Sequence, residues 1–205
     1  MAVFIPTYFS PISQIGMIYQ SNDFEFEVCD NFQKQTYRNR CYMYGANGKQ
    51  LLNIPVRSPK TEGRKKTKDI LVEENSNWQD QHYKSLKIAY SSSPFFEFYE
   101  DDLIPIFNKN YKYLLDVNID TFEFINDALD LQKKYSLTKA YKDYEHYDYR
   151  NLASVKSHPE CSLKPYIQIF DDKFGFINNL SILDLLFMEG PNSISFLEKN
   201  ALTLG

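Results

Sequence analysis

The order of the predicted secondary-structure elements constrains the fold most strongly. Strand-like patterns cluster in residues 1–72, whereas amphipathic helical patterns dominate residues 73–137. In the stretch DFEFEVCD, over 23–30, apolar and polar residues alternate, which predicts a half-exposed strand. This separation of strands from helices indicates an α+β fold, with a strand-rich N-terminal sheet and a hairpin packed against the helical middle and C-terminal part. The opening strand–helix–strand unit, over 3–30, also admits a Rossmann-like sheet.

Local signals set the expected ends of several elements in the first half. Asn47-Gly48 predicts the turn of the hairpin over 40–56. Ser76 and Gln79 have the spacing of a capping box, which predicts a helix over 77–90. Asn118 is a suitable N-cap for a later helix.

Signals in the remaining chain are less regular. Pro105 is expected to interrupt the helix that starts near Ser93-Pro94. Residues 136–164 show no periodicity, which indicates an ordered surface excursion. The sequence YIQIF, over 166–170, predicts a late strand. Ser181 and Asp184 repeat the capping-box spacing before an apolar helix.

The size and the aromatic content indicate a single domain over 1–205 with a large core. The chain has 205 residues, which suits one domain better than two. It contains 16 Tyr and 16 Phe, and these rings supply large buried areas with few rotatable bonds. A sizeable core is therefore expected with little Leu and Val.

Charge and cysteine usage exclude several classes of protein. The net charge of −4 argues against general nucleic-acid binding, which needs a basic surface. The three cysteines, Cys29, Cys41 and Cys161, have no CxxC spacing, so neither disulfides nor structural zinc are expected. No signal peptide or membrane-length apolar run is visible. We therefore expect a cytoplasmic protein without metal, cofactor or membrane insertion.

The segment NFQKQTYRNRC, over 31–41, gathers three cations in an acidic chain. If the segment is extended, Lys34, Arg38 and Arg40 share one face, and Gln35, Asn39 and Cys41 share the other. If it is helical, Lys34 and Arg38 still align. Arginine and lysine in this arrangement suit a phosphate or a carboxylate. The acids of 23–30 give a structural alternative, since adjacent strands can pair opposite charges.

A second basic stretch, RSPKTEGRKKTK over 57–68, allows two interpretations. A charge run of this kind is most often a solvated loop. It can also serve as a lid over an anionic ligand.

Three side chains are candidates for catalysis. His82 shares a helix face with Trp78, so it is either a hydrogen-bonded core residue or a general base that faces a cleft. Asp184 either completes a helix cap or orients that base. Cys41 beside Arg40 is either a nucleophile with a lowered pKa or a small buried hydrophobe. No histidines or cysteines have a recognisable metal-ligand spacing.

Four stretches together resemble the WbqC-like family. They are PTYFSPIS, FQKQTYRNRCYMYGANGKQLLNIPV, NSNWQDQHYKSLKIAYSSSPFFEFY and GFINNLSILDLLFMEGP. The first departs from the family's common form, Gln-Pro-x-Phe/Tyr-x-Pro. The resemblance implies a bacterial cytoplasmic protein encoded with surface-polysaccharide (O-antigen) genes, in a family for which transfer of glycine or another acyl group to a sugar has been proposed.

The resemblance also bears on individual residues. The family motifs fall on Lys34, Asn39 and Arg40, on Trp78 and His82, and on 180–184. Many members carry Asn where this chain has Cys41. That departure weakens a covalent cysteine mechanism and favours His82 as the catalytic residue.

The resulting hypothesis is an acyl or aminoacyl transferase that acts on a phosphate-bearing small molecule, a nucleotide-linked sugar. His82 would be the general base, oriented by Asp184, with Cys41 as a further catalytic candidate. The expected ligand-binding residues are Tyr8, Lys34, Gln35, Arg38, Asn39 and Arg40. The alternative hypothesis is a non-catalytic module that binds an anionic metabolite or nucleotide sugar for a partner enzyme.

Overall fold

The computed structural model describes residues 1–57 and 63–200. The strands are β1 (Ala2–Phe4), β2 (Phe24–Phe26), β3 (Arg40–Gly45), β4 (Gly48–Asn53), β5 (Val56–Arg57), β6 (Leu71–Val72) and β7 (Tyr135–Leu137). The helices are α1 (Ile12–Gln20), α2 (Trp78–Tyr90), α3 (Phe96–Asn108), α4 (Leu114–Ala128), α5 (Asp171–Phe174), α6 (Ile182–Glu189) and α7 (Ser193–Lys199). Three short 3-10 turns cover Thr67–Asp69, Arg150–Ala153 and Gly190–Asn192. The predicted α+β class is confirmed.

A small parallel sheet forms the centre of the fold. Its strand order is β1-β2-β7, and helix α1 makes the crossover between β1 and β2. The segment around Asp148 continues the sheet beyond β1 through a parallel bridge to Val3. The Val3 amide donates to the Tyr147 carbonyl, and the Tyr149 amide donates to the Val3 carbonyl. The region predicted to lack periodicity, 136–164, therefore supplies most of the edge strand β7 and, on the opposite side of the sheet, the segment that pairs with β1.

Two antiparallel hairpins lie outside this sheet. Strands β3 and β4 pair from Arg40–Asn53 to Gly45–Gly48, so the loop consists of Ala46 and Asn47. Gly48 has φ 92°, the left-handed conformation that follows a turn in such a hairpin. The predicted hairpin forms, but its two loop residues are Ala46 and Asn47, one position before the predicted Asn47 and Gly48. Strands β5 and β6 form the second hairpin.

Helix α2 agrees with its prediction, but the predicted capping box does not form. Asn77 takes the N-cap position, and Ser76 donates to the Glu73 carbonyl instead. The Gln79 amide reaches the end of α3, where it donates to the carbonyls of Ile106, Phe107 and Lys109. The last carbonyls of a helix lack partners within the helix, so this amide supplies their donors.

Two further local predictions are wrong. Pro105 stands inside α3, which continues to Asn108. Residues 166–170 form no strand. Instead, the Gln168 side chain bonds both backbone groups of Ile177, accepting from its amide at 2.7 Å and donating to its carbonyl at 3.0 Å. A side-chain amide here replaces the pairing that a strand partner would give.

The hydrophobic core is one cluster whose members run from Ala2 to Leu197. Aromatic rings form much of it; Phe122 lies with its ring centroid 5.8 Å from that of Phe24 and 5.1 Å from that of Phe26. These edge-to-face contacts pack α4 against the parallel sheet. None of the helices within 1–57 and 63–200 is long and apolar enough to cross a bilayer.

Asn118 holds two distant segments together from the second turn of α4. It was predicted to be an N-cap, but the helix begins at Leu114, and Asn118 is fully buried. Its amide nitrogen donates to the Pro6 carbonyl at 3.0 Å and to the Arg38 carbonyl at 2.9 Å. The loop that follows β1 and the cationic segment 31–41 are thereby fixed to one helix.

We expect Asn118→Ala to lower the free energy of unfolding by about 2–4 kcal/mol, because two buried carbonyls lose their donors. Urea unfolding followed by circular dichroism measures the change. Asn108→Ala is the matched control, since Asn108 is an exposed helical asparagine, and it should change the value by less than about 0.5 kcal/mol. Equal effects of the two substitutions would contradict the bridging role.

Candidate functional site

A polar cavity of about 580 Å³ lies where the strands of the parallel sheet end. Ile5 follows β1, Asp30 follows β2, and Tyr141 follows β7, and all three line the cavity. Parallel strands bring their carboxyl ends to one edge, and open α/β sheets bind ligands in the crevice at that edge. The other lining residues are Asn31, Gln33, Arg38, Lys66, Asp148, Arg150, Asn151, Ser154 and Ser157.

A buried ion pair joins Arg38 to Asp30 in the cavity wall. The Arg38 Nη2 atom donates to Asp30 Oδ2 at 2.5 Å, and the two side chains are 4% and 9% exposed. Arg38 Nη1 also donates to the hydroxyl of Thr36 at 3.2 Å. Arg38 Nε and Asp30 Oδ1 are buried without a hydrogen-bond partner in the described ranges. Charge pairing, the structural alternative for segment 31–41, therefore holds for Arg38, but it leaves polar groups unsatisfied.

A second ion pair joins Arg150 to Asp148. Arg150 Nε donates to Asp148 Oδ1 at 2.9 Å, and Nη2 donates to Oδ2 at 2.5 Å. Burial alone would raise the pKa of Asp148, but the bonds from Arg150 hold that pKa below its ordinary value. This carboxyl group is accordingly an anchor for the guanidinium, and its lowered pKa makes it a poor general base.

Buried Glu27 extends the second pair inward. Its Oε1 accepts from the Cys29 amide at 2.7 Å and from the Thr138 hydroxyl at 2.8 Å. Its Oε2 lies 3.7 Å from Arg150 Nη1 and has no hydrogen bond within the described residues. The Arg150 guanidinium therefore lies between an inner and an outer carboxylate.

Part of the basic stretch 57–68 borders the cavity. Lys66 forms an antiparallel bridge with Asn31, and the Thr67 amide donates to the Asp30 carbonyl at 3.0 Å. These contacts carry the Lys66 ammonium group to the cavity, 3.5 Å from the side-chain oxygen of Asn31. Residues 58–62 of the stretch lie outside the described residues, so the lid hypothesis stays a prediction.

The other predicted ligand-binding residues lie elsewhere. Lys34 is exposed and lines a neighbouring hollow that shares Asn31 and Gln33 with the cavity, and Gln35 is exposed. Asn39 is buried and donates to the Asn53 side chain and to the Ile54 carbonyl, both at 3.1 Å. Arg40 is half-buried on β3, outside the cavity lining. Of the cations in segment 31–41, the fold brings Arg38 to the cavity.

His82 and Tyr8 lie together in the core. His82 is 5% exposed, its Nδ1 is 3.0 Å from the Tyr8 hydroxyl, and its ring packs 5.3 Å from that of Trp78. Burial lowers the pKa of His82 to about 4, and a backbone hydrogen bond to Asn53 offsets part of this effect. The ring is neutral at pH 7 and is not among the residues that line the cavity. His82 therefore has the environment of a hydrogen-bonded core histidine, and not that of a general base that faces a cleft.

Asp184 belongs to a different buried network. Its Oδ1 accepts from the Tyr90 hydroxyl at 2.7 Å, and its Oδ2 accepts from the Tyr166 hydroxyl at 2.5 Å and from Gln168 at 2.9 Å. Burial raises the pKa of Asp184 despite these donors. Ser181 still caps α6, since its hydroxyl accepts from the Leu183 amide. None of these partners is His82, so the expected His–Asp pair does not form.

Cys41 is also unsuited to the role considered for it. The thiol is 1% exposed on β3, and burial raises its pKa far above the ordinary value. A nucleophilic cysteine needs a lowered pKa and access to substrate. Cys41 is therefore the small buried hydrophobe of the two alternatives.

Most of the cavity residues were missed from the sequence. Asp148, Arg150 and Tyr141 lie in the stretch without periodicity, which gave no cue to its position. One cue that sequence reasoning did not use is the acid two residues before an arginine, Asp148-Tyr149-Arg150, because that spacing permits a local ion pair. Among the described residues no group of three His, Cys, Asp or Glu side chains is arranged to hold a metal ion.

A comparison with known families identifies the lineage. The sequence model of the WbqC-like protein family matches residues 6–159, about three quarters of the chain. The chain belongs to the WbqC-like protein family. The matched range contains the cavity residues from Asp30 to Ser157, whereas the stretch GFINNLSILDLLFMEGP lies beyond it. No curated protein and no solved structure matches the chain significantly.

The placement of His82 predicts a pH dependence of stability. The unfolded ring has a pKa near 6.5 and the folded ring a pKa of about 4, so the unfolded chain binds the proton first as pH falls. The stabilisation is complete above about pH 6.5 and is lost progressively towards about pH 4, by roughly 3 kcal/mol in all. Urea unfolding at pH 7 and pH 4.5 should show a smaller pH-dependent loss in His82→Gln than in the wild type.

His146→Gln provides the control, because His146 is exposed. This variant should keep the pH dependence of the wild type. A His82→Gln protein with an unchanged pH dependence would show that the ring is solvated in the folded state.

Proposed function

We propose that this protein binds a phosphate-bearing sugar, of the nucleotide-linked class, in the cavity at the carboxyl edge of the parallel sheet. The observation that carries the proposal is the unsatisfied ion pair of Arg38 and Asp30 in the cavity wall. Arg38, Arg150 and Lys66 provide three cations among the described lining residues, against the two acids Asp30 and Asp148. Guanidinium forks held by carboxylates are suited to orient a diphosphate.

The proposed reaction is transfer of an acyl or aminoacyl group to the bound sugar, in surface-polysaccharide (O-antigen) biosynthesis. A sugar amine or hydroxyl attacks the carbonyl carbon of an activated acyl donor such as a thioester. The new C–N or C–O bond forms, the activating group leaves, and the proton of the attacking group passes to a base. Family membership supports the pathway at the level of the family name, and the polar cavity supports the class of substrate.

Asp30 is the base that we assign to this step. His82 is buried against Tyr8 and is not among the lining residues. Asp30 is among them, and its Oδ1 has no hydrogen-bond partner in the described part of the chain. In this assignment Asp30 Oδ1 accepts the proton, and Oδ2 stays bonded to Arg38 Nη2. General base catalysis of this kind contributes about 10²–10⁴-fold in rate.

A binding module without turnover is the second candidate. The observation in its favour is that both acids of the lining are already engaged with arginines. Such a protein would hold the sugar nucleotide for a partner enzyme. Tight ligand binding without product in the presence of acyl donors would identify this alternative.

Lys66→Ala tests the proposed binding, with Lys68→Ala as its matched control. Lys68 is an exposed lysine two residues away and is not among the lining residues. We expect Lys66→Ala to weaken binding of a nucleoside diphosphate sugar about tenfold, or about 1.4 kcal/mol, because one phosphate contact is lost. Lys68→Ala should leave the affinity unchanged.

Thermal shift and calorimetry provide the measurements. A ligand at about 100 times its dissociation constant adds roughly 2.7 kcal/mol. For a chain of this size each kcal/mol raises the melting temperature by about 2–4 °C. If nucleoside diphosphate sugars, sugar phosphates and pyrophosphate all leave the melting temperature unchanged, the proposal is wrong.

A further inference from the structure

Tyr141 presents a large exposed ring to a cavity whose other lining residues, apart from Ile5, are polar. It lies in the aperiodic stretch after β7, is 52% exposed and lines the cavity. Exposed aromatic rings are common platforms on which flat ligands stack. The transferase chemistry proposed above gives this ring no role, since acyl transfer needs phosphate contacts and a base.

The ring is held in place by a fixed cation. The Arg150 guanidinium carbon lies 4.7 Å from the Tyr141 ring centroid and 5.3 Å from that of Tyr144. Arg150 is itself fixed by Asp148 and by donation to the Lys142 carbonyl at 3.1 Å. Because its cationic neighbour is anchored, the ring is oriented before any ligand arrives, which lowers the entropic cost of stacking.

Other polar side chains of the lining can form hydrogen bonds with the edge of a planar base. Neutral amides and hydroxyls of this lining combine donors and acceptors; they belong to Asn31, Gln33, Asn151, Ser154 and Ser157. The Ser157 hydroxyl donates to that of Ser154 at 2.8 Å, so this pair is ordered. A cavity of about 580 Å³ is larger than a pyrophosphate group alone requires.

We propose that Tyr141 is the stacking platform for the base of a nucleoside diphosphate, and that this protein therefore distinguishes nucleotide-linked sugars from simple sugar phosphates. The inference rests on the proposed function, since it assigns one end of the same cavity. The base stacks on the exposed part of the Tyr141 ring, and the diphosphate lies against the cations of Arg150, Arg38 and Lys66. The stretch 141–150 thus supplies both the platform and one phosphate ligand.

The test compares uridine diphosphate with inorganic pyrophosphate by calorimetry on the full chain. The wild type should bind uridine diphosphate at least about tenfold more tightly, because the base adds stacking. Tyr141→Ala should weaken uridine diphosphate binding about 5- to 100-fold and leave pyrophosphate binding within about twofold. Tyr141→Phe should keep the affinity of the wild type, because the phenyl ring retains the stacking face.

Tyr147→Ala is the control, since Tyr147 is 64% exposed in the same stretch and does not line the cavity. It should change neither affinity. If pyrophosphate binds and uridine diphosphate binds no more tightly, or if Tyr141→Ala weakens both ligands equally, the platform assignment is overturned and the phosphate site stands. If neither ligand binds at millimolar concentration, the proposed function fails together with this inference.

Discussion

The two hydrogen bonds donated by the Asn118 amide are the constraint on which the site depends. They fix the carbonyls of Pro6 and Arg38 to one helix, so the loop after β1 and the cationic segment meet at a defined place. The backbone bond from Tyr8 to Tyr37 joins the same two segments. Arg38 can therefore reach Asp30 at the end of β2, and the wall of the cavity is formed by residues far apart in sequence.

The position of the cavity and the chemistry of its lining come from different parts of the fold. Its place at the carboxyl edge follows from the parallel sheet, which brings the ends of three strands together. Its chemistry comes from the loops, which contribute two ion pairs, a lysine and a set of amides and hydroxyls. Ion pairs held in this way are preorganised, so the charged ligand proposed above would meet donors that are already oriented. The strands set the position of the cavity, and the loops supply its polar groups.

Sequence reasoning succeeded where a local pattern decides the structure and failed where tertiary contacts do. The helix over 78–90 and the hairpin follow from periodicity and turn chemistry, and they were predicted. Asn118 and Gln79 were predicted to cap helices. Their side-chain amides instead donate to carbonyls far away in the sequence, which local rules do not reveal. His82 was correctly placed on an inward face, but the sequence does not tell a hydrocarbon interior from a wet cleft. Arg150 and Tyr141 were missed because strand β7 and the 147–149 segment are short and gain their neighbours from residues far away along the chain.

The pairing of residues 147–149 with Val3 has a consequence for self-association. A bare outer edge of β1 would offer unpaired amides and carbonyls to any strand of another molecule. The segment that covers this edge is the one that carries Asp148 and leads into Arg150. The proposed ligand recognition and the protection of the sheet from intermolecular pairing thus fall on the same few residues. A substitution that loosens this segment would change the cavity lining and expose the outer edge of β1 to pairing with other molecules at the same time.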